Sequence, residues 1–94
     1  MLSLHGHFAT ANGPKYLQQL CKHFGHKIEV EFTETEGTCH FVFGAAKMTA
    51  DEAGLDVRFE LEDPEAADSA KGVIDSHLER FAFREDFKNM EWTS

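Results

Sequence analysis

The sequence predicts an α+β fold: a two-layer sandwich of order β-α-β-β-β-β-α, with an antiparallel sheet and both helices on one face. Three observations predict it. One stretch near each end of the chain repeats its apolar residues at helical spacing. Between them lie consecutive strand-like stretches joined by turns too short for a crossover helix, which favours antiparallel pairing. Each strand has one apolar and one charged face, so one helical layer covers the sheet and its other face stays wet.

The elements follow in order. Within residues 2–10, Leu2, Leu4 and Phe8 share one face and Ser3, His5 and His7 the other. Asn12-Gly13-Pro14 marks a helix start, with proline acceptable in the first turn. Leu17, Leu20, Cys21 and Phe24 then form a single apolar stripe. Gly25 is the expected C-cap, because glycine tolerates the left-handed conformation. Ile28, Val30 and Phe32 alternate with Glu29, Glu31 and Thr33, as in a half-buried strand. Glu36-Gly37 is the expected turn, after which Cys39, Phe41 and Phe43 face inward and His40 and Val42 outward. A short extended piece over 46–50 follows Gly44, and 51–54 turn the chain again. Leu55, Val57, Phe59 and Leu61 alternate with Asp56, Arg58, Glu60 and Glu62, the cleanest strand of all. Asp63-Pro64 opens the second helix as cap and first-turn proline, and Ala67, Ala70, Ile74, Leu78 and Phe81 line its apolar face. Gly72 inside that helix costs about 1 kcal/mol relative to alanine, which suggests close packing on the sheet.

Ninety-four residues suit one domain, covering 1–94. No segment reaches the ~18 apolar residues of a membrane span, and no charged-then-apolar signal pattern opens the chain, so a cytoplasmic home without membrane attachment is expected. The net charge of −8 repels phosphate backbones and argues against nucleic-acid binding. That charge is uneven: residues 1–27 contain no acid, while the acids concentrate between 28 and 75. Cys21 and Cys39 fall on apolar faces, which favours buried free thiols over a disulfide, and the lack of a CxxC argues against structural zinc. GxSxG, P-loop, GxGxxG and HExxH motifs are all missing, so the sequence names neither a cofactor nor a reaction.

Two dense polar-aromatic words end the two helices: Leu20-Cys21-Lys22-His23-Phe24-Gly25-His26-Lys27, and His77-Leu78-Glu79-Arg80-Phe81-Ala82-Phe83-Arg84-Glu85. With Tyr16-Leu17 and Trp92, they make the chain resemble a family of small bacterial domains of unknown function (domain of unknown function 2218) over nearly its whole length. The resemblance implies a fold like that of the TATA-binding protein and a bacterial cytosolic protein. It also implies a link with siderophore-interacting proteins, hence with iron handling. It implies no catalytic residue.

The same two words supply the candidate site. His23 lies in the last turn of the first helix, and His26 lies beyond Gly25. His77, Arg80 and Arg84 share one side of the second helix. These five residues are the candidate ligand-binding set, for a small anion or a partner protein, because guanidinium groups pair with carboxylate or phosphate. The blander alternative makes His23 a capping group, His77 a satisfied core histidine, and the arginines struts to the acidic strands. A small enzyme would use His77 or His23 as general acid-base, with Arg80 or Arg84 holding an anionic substrate. A structural scaffold would dimerise through Phe83, Phe87 and Trp92, since the tail is too apolar for a free end. On the outer sheet face, His5 and His7 would meet Asp56, Arg58 and Glu60 if the first strand pairs with the last. That set has the ligand types of a divalent metal site, although a wet face needs polar residues anyway.

Overall fold

The computed structural model describes residues 2–85, 87 and 89–93. The strands are β1 (Leu2–Ala9), β2 (Val30–Phe32), β3 (Glu36–Phe41), β4 (Gly44–Asp51), β5 (Gly54–Leu61) and β6 (Glu91–Thr93). The helices are α1 (Gly13–Phe24) and α2 (Ala67–Phe81), with single 3-10 turns at Pro64–Ala66 and Phe83–Glu85. The sheet is antiparallel throughout, in the order β2-β3-β4-β5-β1-β6. The expected α+β sandwich is therefore present, with a sixth strand added at the edge beside β1.

Period-two alternation decides which face is dry. Leu4, Cys39, Ala46, Met48, Val57, Phe59 and Leu61 are buried and join Leu17, Leu20, Ile74 and Leu78 from the helices in one core. The turns of β3-β4 and β4-β5 hold two residues each, Val42-Phe43 and Glu52-Ala53, so the register leaves no slack. Gly54 closes the second of these at φ +159°, where a Cβ would lie 2.4 Å from the Phe8 carbonyl oxygen.

Several local expectations are corrected. The turn before β3 falls at Thr33–Thr35, where Thr33 Oγ1 accepts from the Glu36 amide at 3.1 Å. Gly37 instead lies within β3, because a side chain there would meet the Cys21 sulfur at 2.7 Å. Gly25 is right-handed (φ −60°, ψ −15°), since the chain keeps winding until Ile28 donates to the Phe24 carbonyl. Asp63 caps the 3-10 turn through the Glu65 amide at 2.9 Å, and α2 proper begins at Ala67.

Cys21 and Cys39 are both free and buried, as expected. The hydrogen bond with Cys21, aided by burial, pushes the Cys39 thiol up, so it packs as a neutral group.

Gly72 does not touch the sheet. It is exposed, and a Cβ there would meet nothing within 4 Å. Gly72→Ala is therefore expected to stabilise the domain by roughly 0.5–1 kcal/mol, because alanine loses less backbone entropy in a helix. Urea unfolding of the two proteins checks this, and an unchanged or lower midpoint contradicts it.

Candidate functional site

One flank of α1 faces α2, and it carries Tyr16, Gln19 and His23 by the helical period. At its C-terminal end the two basic words meet. The His23 and His77 ring centroids are 4.6 Å apart. Phe24 packs edge-on to His77 at 4.9 Å, and Phe81 closes on His23 at 6.2 Å. His77 Nδ1 donates to the Val73 carbonyl oxygen at 2.6 Å, which fixes the ring, and Nε2 has no hydrogen-bond partner among the described residues. His23 stays exposed, but its partial desolvation against these rings, followed by the positive potential of His77, Lys27, His26 and Arg80, disfavours its charged form. Both effects hold its pKa below the ordinary 6.5.

Four of the five sequence-derived residues therefore act on one corner: His23 and His77 in contact, His26 and Arg80 through their charge. Arg84 instead lies over the Phe83 ring, with its guanidinium carbon 5.6 Å from the centroid. The notion that the arginines brace the acidic strands is not met. Arg80 and Arg84 are exposed and form no ion pair among the described residues.

At the other end of the same flank, Glu85 joins α2's end to α1's start. Its carboxylate accepts from Thr10 Oγ1 at 2.7 Å, Asn12 Nδ2 at 3.1 Å and the Tyr16 hydroxyl. Nothing in the spacing of the sequence joins Glu85 to Tyr16, which stand 69 residues apart. Tyr16 is 3% exposed. A buried phenol needs a hydrogen-bond partner, and that requirement was the available signal. Between the two ends, Gln19 Oε1 is buried with no hydrogen-bond partner among the described residues.

Burial, with the Glu85 hydrogen bond and charge, pushes the Tyr16 pKa from 10.0 up to about 12. Reciprocally, the Tyr16 hydrogen bond holds Glu85 below its ordinary 4.5, against the opposing effect of burial. Tyr16 is the only tyrosine, so phenolate absorbance reports on it alone. Its midpoint is expected at about 12, falling toward 10 in Glu85→Gln, with circular dichroism confirming the fold. A wild-type midpoint at 10 contradicts the contact. The raised pKa contributes stability that is present below pH 10 and lost as pH rises through about 12. Glu85 does the reverse: its contribution is present above pH 4.5 and lost as pH falls through its lower folded value.

The C-terminal tail is held by Asp75 of α2. Asp75 Oδ1 accepts from the Met90 amide at 3.0 Å, and Oδ2 accepts from the Trp92 indole at 3.0 Å. The Trp92 ring covers Gly6, where a Cβ would lie 2.8 Å from it. Phe87 is buried against Phe8 at 4.7 Å. Of the three aromatics expected at a dimer contact, only Phe83 is left exposed, at 66%.

On the outer face β1 does pair with β5, and Asp56 Oδ1 receives both His5 Nε2 and His7 Nδ1 at 2.9 Å. Burial works to raise the Asp56 pKa, but the His7 and His5 hydrogen bonds outweigh it and hold the carboxyl below 3.8. Among the described residues no group of three or more His, Cys, Asp or Glu is placed to hold a metal ion. No helix among them is long and apolar enough to cross a membrane.

No curated protein matches this sequence. Its structure is similar to the NMR structure of PA4090 from Pseudomonas aeruginosa, with a TM-score of 0.80 and 28% identity over 99% of this chain and 96% of that one. A family model described as an uncharacterised protein conserved in bacteria (DUF2218) matches residues 5–93. That span runs from the outer-face histidine of β1 to the end of β6 and takes in both helix-end words. The chain therefore belongs to the DUF2218 family of uncharacterised proteins conserved in bacteria.

Proposed function

We propose that this domain is a binding module whose ligand is a small anion or an acidic surface of a partner, held at the corner formed by His23, His26, His77 and Arg80, with Arg84 at its edge. The single observation that carries this reading is the 4.6 Å approach of His23 to His77 amid positive groups that lower the proton affinity of His23. An anion seated there relieves that repulsion and gains charge-assisted hydrogen bonds from Arg80. The siderophore link carried by the family resemblance makes ferric catecholate chelates, which are anions, the first ligands to try.

Calorimetric titration with a ferric catecholate, and separately with zinc chloride, tests the reading. Heat with the chelate that disappears in Arg80→Gln supports it. No heat at millimolar chelate removes it, and heat with zinc alone turns the corner into a metal site. The hydrogen bond that fixes the His77 ring beside His23 also favours a second reading as a general acid-base pair. In that case His77→Gln abolishes turnover of an anionic substrate while leaving its binding intact.

A further inference from the structure

The outer face of the sheet, opposite the helices, carries a row of residues in register across the strands: Thr38 on β3, Lys47 on β4, Arg58 on β5 and His5 on β1. Lys47 and Arg58 are direct cross-strand partners. Like charges in that position destabilise a sheet, because side chains directly opposite approach to ~5 Å. The chain has 17 acids against 9 bases, so opposite-charge pairing was readily available to it. Yet neither Lys47 nor Arg58 forms an ion pair or a side-chain hydrogen bond among the described residues, although Asp56 and Glu60 flank Arg58 along its own strand. The two cations border a concavity of about 330 Å³, lined also by His5, Thr49 and Asp56. That volume suits a small molecule.

Asp56 completes the pattern. Its Oδ1 holds both His5 and His7, which fixes the carboxylate, and its Oδ2 has no hydrogen bond among the described residues. The concavity therefore offers two cations one strand apart and one positioned acceptor. We propose that this face binds a small hydroxydicarboxylate: Lys47 and Arg58 each take a carboxylate, and Asp56 Oδ2 accepts from the hydroxyl. The site is separate from the helical corner, because it sits on the opposite side of the sheet and shares no residue with it.

Malate and succinate carry the same charge and differ by that hydroxyl, so they form the test pair in amide chemical-shift titrations of the full chain. Malate is expected to shift residues 5, 47, 49, 56 and 58. Succinate should bind on the order of tenfold more weakly, as the loss of one charge-assisted hydrogen bond implies. Arg58→Gln, an exposed position whose amide spectrum also reports the fold, should weaken malate by a similar factor. Equal binding of the two acids overturns the assignment of Asp56. Shifts confined to the region of His23 and His77, or no shifts at tens of millimolar malate, overturn the site itself. The first of those outcomes would still support the helical corner.

Discussion

Phe59→Ala is expected to cost roughly 3–5 kcal/mol, the usual loss for truncating a buried aromatic. Phe59 is fully buried on β5, which lies between β4 and β1 in the middle of the sheet. Its ring stands 6.1 Å from Phe41, 5.9 Å from Phe43 and 6.0 Å from Trp92. The cavity left behind borders three other rings that cannot all collapse into it. A domain of this size has about 5–15 kcal/mol of stability in total, so the variant should sit close to its unfolding transition at room temperature. The urea midpoint measures this, and Phe59→Leu, which refills most of the volume, should recover a large part of the loss. A fall of less than about 1 kcal/mol for alanine, below the range for such truncations, contradicts the central place given to this ring.

Asp75→Ala is expected to cost roughly 2–4 kcal/mol and to release the C-terminal strand. Hydrogen bonds to a charged acceptor contribute about 1.5–3 kcal/mol each, and this carboxylate holds both the Met90 amide and the Trp92 indole. The two are coupled through one short strand, so their losses do not simply add. Met90 is 1% exposed, which leaves its amide poorly placed to find water in exchange. Trp92 is the only tryptophan, so its fluorescence reads the docking of the tail without ambiguity. The emission should move to longer wavelength in Asp75→Ala. It should move likewise in Gly6→Val, which puts a side chain where the indole ring now lies. Unchanged emission in both would show that the tail is held by something other than this contact.

The sheet was legible in the sequence because alternation in β1 and β5 runs long enough to set both faces, and two-residue turns then fix the neighbours. That His23 and His77 share a neighbourhood was an expectation of the sequence alone, since helices on one face can align either way, and their rings lie 4.6 Å apart. Less legible were features set by contacts remote in sequence. β6 is three residues long and carries no period of its own; its position depends on Asp75, many residues earlier on α2. Glu85 reads as a partner for adjacent cations until the fold brings Tyr16, Thr10 and Asn12 around it. Gly25 and Gly37 misled for a shared reason. Glycine in a loop-like stretch suggests turn geometry, but Gly37 is required for space beside the Cys21 sulfur, and Gly25 has a right-handed conformation open to any residue.

Acid should weaken the domain in two stages whose signs follow from the shifted groups. The folded state binds a proton at His23 less readily than the unfolded chain does, so stability falls as pH drops below 6.5 and the loss levels off beneath the folded value. Glu85 and Asp56 add their losses further down, below 4.5 and 3.8. Both carboxylates are partly solvated, which keeps their contributions modest.

The most direct test of the basic corner is the titration of the His23 imidazole, followed by its carbon-bound proton signals in the wild-type chain with and without phosphate. The midpoint should lie below 6.5 in phosphate-free buffer and rise when phosphate is added, because an anion seated at the corner stabilises the imidazolium. A midpoint at or above 6.5 that phosphate leaves unmoved would contradict the corner as an anion site.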